Sequence, residues 1–237
     1  MKLAIMQPYF FPYLGYFSLI KHTDRFVLLD MVQFIRHGWI ERNRILKQNA
    51  DWIYIHVPVI KKNGRGTLIR DVIIDNNQNW KEKILAQLLH YKKIAPNYFK
   101  VVKILNELFN HEFTNIVSLN LSSLEIVCDY LEIDHQMNVF SEMNLEIETP
   151  VAPDEWALNI CKAIGTVDEY WNLPGGLSFF DKQKYEAVGI SLKFQKLNLV
   201  QYNQKRMMFE PGLSIIDALM FNQKEMILQM IDNYNIL

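Results

Sequence analysis

The chain has 237 residues, 50% of them hydrophobic, and a formal net charge of −1. That length suits one large domain or a core with an appendage, and the near-balanced charge argues against disorder and against an electrostatic nucleic-acid binder. No apolar run approaches the ~20 residues that cross a bilayer, and the N-terminal apolar stretch breaks at Gln7 and Pro8 before it reads as a signal peptide; a cytoplasmic protein without a membrane span is expected.

The first forty-five or so residues organise the rest. Leu3 to Met6 is a short apolar run ending at Gln-Pro, the pattern of an interior strand that gives way to a loop. Pro8 and Pro12 bracket the aromatic stretch Tyr9 to Phe11 and stiffen it, because each ring fixes its own backbone angle and restricts the residue before it. Leu14, Phe17, Leu19 and Ile20 have helical spacing, with Gly15 near the helix start, where a missing side chain lets a ligand or backbone approach. Phe26 to Leu29 is the next strand, ending at Asp30. The unit is a βαβ crossover, and the fold class expected is α/β with a mostly parallel sheet.

Further along, Trp52 to Ile60 predicts a third strand, and Thr67 to Ile74 predicts another, joined to it by a turn over Lys61 to Gly66. From Asn79 the period becomes helical. Stripes at Trp80, Ile84, Leu88 and Tyr91, then Tyr98 to Phe109, then Ile116 to Leu131 predict packing helices, the last capped by Thr114 or Asn115. Met137 to Phe140 predicts a short parallel strand, and Asp154 a cap for a helix through Ile164. Asn172 and the Pro174-Gly175-Gly176 turn follow an aromatic run; the glycines either expose backbone amides or satisfy the turn alone. Gly189 stops a helix before a last core strand at Ser191 to Phe194, and Ser214 caps a closing helix with Asp217 in its first turn. Cys128 and Cys161 are far apart and read as buried free thiols. The organisation expected is a single domain over 1–237, with an α/β core at 1–75 and 166–220 and a helical insertion at about 78–165.

In open parallel sheets ligands bind outside the carboxyl ends of the strands, so the polar side chains there are the candidate site. Gln7, Tyr16 and Asp30 are the candidate catalytic groups, Asp30 as a base or metal ligand. Tyr9, Gly15, Gln33, Trp39, Arg42, Asn43, Arg44 and Asn172 are the candidate substrate-binding residues. Arginine forks would hold phosphate or carboxylate, and Tyr9 or Trp39 would stack on a base or sugar face. His56 on the third strand reads as a sheet-face residue. His22, His37, His90, His111 and His135 lack ligand spacing, so no structural metal is expected, while Mg²⁺ carried in with a nucleotide would meet Asp30. No P-loop, nucleophile-elbow or zinc-protease pattern occurs.

The runs MQPYFFPYLGYFSLI, FVLLDMVQFIRHGWIERNRI, EYWNLPGG with GISLKF, and PGLSIIDALMFN resemble the WbqC-like family of bacterial proteins, in order and over nearly the whole chain. The resemblance implies association with surface-polysaccharide gene clusters, especially lipopolysaccharide O-antigen synthesis; it carries no catalytic residues over. In addition, Tyr13-Leu14-Gly15-Tyr16 sits where nucleotidyltransferases of the HIGH superfamily place His-x-Gly-His, which makes the N-terminal unit similar to theirs, with tyrosines in place of charge-stabilising histidines. The function expected is a transferase or ligase joining an acyl or aminoacyl group to a nucleotide-activated amino sugar, with ATP or the nucleotide sugar and Mg²⁺ as cofactor candidates. The alternative is a non-catalytic sugar- or partner-binding protein of the same pathway, docking through exposed Tyr9, Phe10 and Phe11. The partner expected is a nucleotide sugar or another anionic small molecule, and homodimerisation stays open.

Overall fold

A strand buried on both faces must be apolar at every position, and the N-terminal run meets that demand because helices cover both sides of it. The computed structural model describes residues 1–47, 50–61 and 64–237. Its elements begin with β1 (Lys2–Met6), α1 (Leu14–Lys21), β2 (Arg25–Leu28), β3 (Arg42–Lys47), β4 (Ala50–His56), β5 (Val59–Lys61) and β6 (Val72–Ile74). The helical middle holds α2 (Trp80–Gln87), α3 (Tyr98–Phe109) and α4 (Ile116–Leu131). Then come β7 (Met137–Val139), α5 (Glu155–Ile164), β8 (Glu169–Asn172), α6 (Lys182–Glu186), β9 (Ser191–Leu197), α7 (Ile215–Phe221), α8 (Lys224–Asp232) and β10 (Tyr234–Ile236).

Among the described residues, the main sheet has six strands in the order β10-β9-β8-β1-β2-β7. All its pairings are parallel except that of the edge strand β10 with β9. The chain therefore starts in the middle at β1, moves outward through β2 to β7, and returns to build β8 and β9 on the other side. This is the doubly wound arrangement, and the reversal falls between β1 and β8. Alternation divides the strand side chains between two layers. Leu3, Ile5, Val27, Tyr170, Leu192 and Phe194 pack with α5 and α6, whereas Ala4, Phe26, Leu28 and Trp171 pack with the layer that contains α1, α4, α7 and α8. Cys128 and Cys161 are buried free thiols in opposite layers, and burial pushes Cys161 up to about 12.

Several local expectations hold for the reasons given. Asn115 caps α4 by accepting from the Ser118 amide, Ser214 caps α7 by accepting from the Ile216 amide, and Gly189 takes a φ of +76° after α6. Other expectations are corrected. Trp52 to Ile60 is not one strand: it divides at Val57-Pro58, where proline has no N–H to donate. Its first half pairs antiparallel with Arg42–Lys47, and its second half pairs with Val72–Ile74, both outside the six-stranded sheet. Lys62 and Asn63 of the expected turn lie outside the described residues. Asp154 stands before α5 but does not cap it; its carboxylate meets the Lys184 ammonium instead.

Candidate functional site

The loops that leave the carboxyl ends of β1, β2, β7 and β8 enclose a cavity of about 1130 Å³. It sits against the ends of β1 and β8, where the strand order reverses and neighbouring loops diverge, the place where doubly wound sheets form their ligand crevice. The β1 side contributes Gln7, Tyr9 and Tyr13. Trp39 and Gln33 come from the segment after β2, Arg44 and Asn43 from β3, Pro150 to Pro153 from the loop before α5, Asn172 from the end of β8, and Leu173 to Gly176 from the loop after it.

The aromatic loop of the β1 side is held rigidly from behind. Phe10 and Phe11 are buried, at 0% and 1% exposure, which corrects the expectation that they form an exposed docking patch. Phe11 adopts a φ of +40°, a left-handed backbone that a bulky residue adopts only when its surroundings enforce it. Here the enforcing groups are Asn43, whose Nδ2 donates to the Phe10 and Phe11 carbonyls at 3.0 and 2.9 Å, and Ser214, whose Oγ donates to the Phe11 carbonyl at 2.7 Å. Asn120 adds two donations, to the carbonyls of Pro8 and Ile40. Asn43 thus stands at the cavity wall with its amide committed to shaping it.

Of the candidate residues, Gln7, Tyr9, Gln33, Trp39, Asn43, Arg44 and Asn172 line the one cavity. Tyr16 and Gly15 lie behind it. The Tyr16 hydroxyl donates to the Gln7 carbonyl at 2.7 Å, and its side chain is fully buried. A Cβ on Gly15 would lie 2.4 Å from the hydroxyl end of the Tyr13 ring, so the space that glycine leaves is filled by Tyr13. Asp30 is 1% exposed and turned to Ser141, accepting from its amide at 3.0 Å and its hydroxyl at 2.6 Å. That clip ties the end of β2 to the end of β7. The donor set does not fit Mg²⁺ at Asp30, because both carboxylate oxygens already have Ser141 donors and no described carboxylate lines the cavity.

The two arginines of β3 separate in role. Both belong to a ladder across the β3–β4 hairpin, with the Arg42 guanidinium 3.8 Å from the Tyr54 ring and the Arg44 guanidinium 5.2 Å from Trp52. Arg42 bonds back to the His37 carbonyl and does not line the cavity, whereas Arg44 does. The Arg44 group also lies 5.5 Å from Trp39 and donates one hydrogen bond from Nη2 to the Gly212 carbonyl; its Nε is buried without a partner among the described residues. It is the one charged side chain among the described lining residues. Asn172 is committed locally, donating to the Tyr170 hydroxyl and accepting from the Leu173 amide. Gly176 serves packing, since a Cβ there would come within 2.8 Å of Phe180.

A family model described as the WbqC-like protein family matches residues 7–228, which spans every loop that builds the cavity. The chain belongs to the WbqC-like protein family. This WbqC-like chain is also 30% identical over 224 residues, 93% of each chain, to a Mycobacterium tuberculosis (strain ATCC 25618 / H37Rv) protein whose name is uncharacterized protein Rv1507c. No solved structure matches it.

Sequence reasoning missed three parts of the WbqC-like site: Tyr13, Trp156 on α5, and the Pro150 to Pro153 loop. Tyr13 had a signal, since it precedes α1 beside Gly15. The α5 side had none, because only the order of strands brings a segment some hundred and forty residues away to the end of β1. Burial raises the hydroxyl pKa of Tyr9 and Tyr13, and Tyr9 adds to the rise at Tyr13, so both phenols are protonated and able to donate at neutral pH. Among the described residues, no helix is long and apolar enough to cross a membrane.

Proposed function

We propose that this WbqC-like protein is a transferase or ligase of surface-glycan synthesis, which binds a nucleotide-activated amino sugar in the strand-end cavity and attaches an acyl or aminoacyl group to it. The observation that carries the reading is the cavity at the switch point, about 1130 Å³, just above the roughly 300–1,000 Å³ usual for a single small ligand. Its size suits two reactants held side by side. Aromatic walls at Tyr9, Trp39 and Trp156 suit flat faces of base or sugar, and amides at Gln7 and Gln33 suit hydroxyl groups. The family resemblance to surface-polysaccharide proteins supports the choice of substrate.

In this scheme the sugar amine attacks the acyl carbonyl, a C–N bond forms, and the bond to the donor's leaving group breaks. The lining offers no carboxylate, imidazole or ammonium among the described residues. Rate enhancement therefore comes from orientation and from hydrogen bonds to the carbonyl, and the amine proton leaves with the departing group. Gln7, Tyr9 and Tyr13 are the groups that meet the reacting atoms, and Tyr16 and Asn43 hold them.

The test is mass spectrometry of UDP-linked amino sugars incubated with the protein and activated acyl or aminoacyl donors. A mass gain that Arg44→Ala abolishes and Arg42→Ala preserves is expected; equal loss in both variants would contradict the assignment. The missing acid or base in the lining favours a second reading, a non-catalytic sugar-binding protein. It would give tight binding of the same nucleotide sugars with no mass gain under any donor.

A further inference from the structure

Several polar side chains of the cavity lining have no hydrogen-bond partner within the described protein. The Tyr9, Tyr13 and Gln7 side chains line the cavity and make no hydrogen bond within the described protein, and the Arg44 guanidinium, which also lines it, donates a single hydrogen bond, to the Gly212 carbonyl. The backbones at Arg44 and at Pro12, the residue before Tyr13, are tied to consecutive amides at the start of α7: Ser214 donates to the Arg44 carbonyl at 2.9 Å, and Ile215 donates to the Pro12 carbonyl at 2.9 Å. The Gly212 carbonyl, two residues before Ser214, accepts from the guanidinium itself. The result is a fixed set of donors in largely apolar walls.

Such a set asks for an acceptor, and the charge count limits which one. A guanidinium in apolar surroundings is neutralised by one negative charge; a second would be left without a cation, at a heavy desolvation cost. No further Lys, Arg or His lines the cavity among the described residues. The turn after β1 also cannot cradle a diphosphate as dinucleotide-binding turns do. Pro8 and Pro12 remove two backbone N–H groups from it, and the hydroxyl end of Tyr13 covers Gly15.

We infer that Tyr9, Tyr13 and Arg44 form a receptor for a single carboxylate, so that a carboxylate borne by the acyl or aminoacyl reactant apart from its activated carbonyl occupies the β1 end and the nucleotide diphosphate lies elsewhere in the cavity. This rests on the cavity being the group-transfer site proposed above, and it adds Tyr13 as a specificity residue and a charge rule for the ligand. A carboxylate takes a guanidinium N–H of Arg44 as a charge-assisted hydrogen bond and a phenol on its second oxygen, while Trp39 flanks the guanidinium.

The test uses three probes on the full chain by ligand-observed NMR and calorimetry: benzoate, its uncharged isostere benzamide, and UDP-N-acetylglucosamine. Benzoate is expected to bind roughly tenfold or more tightly than benzamide. Arg44→Gln should erase that preference while changing UDP-N-acetylglucosamine affinity less than threefold. Tyr13→Phe, which keeps the ring and needs no refolding of the loop, should weaken benzoate by a smaller factor and leave benzamide unchanged. Equal binding of benzoate and benzamide to the wild type overturns the inference. So does an Arg44→Gln variant that weakens the nucleotide sugar as much as benzoate, which would put the diphosphate at Arg44. A benzoate preference that obeys these rules alongside absent nucleotide-sugar binding would support the carboxylate receptor and sink the nucleotide-sugar reading.

Discussion

Asp217 is a buried carboxyl whose removal has a defined pH signature. The sequence pattern places it in the first turn of α7, where an acid favours the helix; the structure shows that its carboxylate has turned inward instead. It is fully buried and accepts from the hydroxyls of Tyr91 at 2.5 Å and Tyr202 at 2.6 Å and from the Gln204 amide at 2.9 Å. Those bonds pin the stretch that leads to Gly212, and through it Arg44, to α7. Burial is the dominant influence and outweighs the three hydrogen bonds, raising the carboxyl from 3.8 to about 6. A carboxyl whose folded value lies above its unfolded one favours the fold while protonated. Its contribution is fully present below 3.8 and is lost as pH rises through about 6. A rise of two units is worth on the order of 3 kcal/mol. Asp217→Asn removes this proton without removing the side chain's bulk. Urea unfolding of both proteins from pH 3.5 to 7.5 should therefore show wild-type stability falling relative to the variant by roughly 3 kcal/mol, mostly between pH 4 and 6, then running level. Other titrating groups cancel in the difference. A flat difference across that range, or one that rises with pH, would mean that the phenol and amide hydrogen bonds outweigh desolvation and that the argument is wrong.

Three further outcomes follow from the site's packing. Gly15→Ala should force the Tyr13 ring from its seat, given the 2.4 Å clash, and lower benzoate affinity severalfold while the thermal midpoint moves by only a few degrees; unchanged affinity would show that Gly15 does not set Tyr13. Asn43→Ala removes the side-chain donor of the Phe10 carbonyl and one of the two on the Phe11 carbonyl, and should destabilise the protein by about 2–3 kcal/mol in denaturant titrations, because the strained Phe11 backbone loses one of its two anchors. Asp30→Asn and Ser141→Ala should reduce stability alike and leave ligand affinity within about twofold, as a structural clip would. Loss of turnover in Asp30→Asn alone, with stability intact, would restore Asp30 as a base.

The β1–α1–β2 unit was legible because interior parallel strands are apolar without interruption and the prolines mark the loop between them. β3 was not, because Arg42–Lys47 is rich in charge and its arginines are stabilised by Tyr54 and Trp52 across the hairpin, a partnership that no single segment displays. The edge strand Tyr234–Ile236 is short and largely exposed, so it lacks a buried pattern to read. For the site, Gln7, Tyr9, Gln33, Trp39, Asn43, Arg44 and Asn172, which strand-end reasoning grouped together, line one cavity. It could not tell which side the chain turns at each strand end. Leu29 lines the cavity and Asp30, the next residue, faces Ser141; Arg44 lines it, and Arg42 on the same strand is spent on Tyr54 and the His37 carbonyl.

The central claim is that the hollow at the ends of β1 and β8 takes an anionic ligand through Arg44. Its most direct test is a crystal structure grown with benzoate and UDP-N-acetylglucosamine together. The account expects the benzoate carboxylate at about 3 Å from the Arg44 guanidinium and the Tyr13 hydroxyl, with the nucleotide sugar in the same cavity. Both ligands bound on the outer face beside Arg42, with the cavity unfilled, would contradict it.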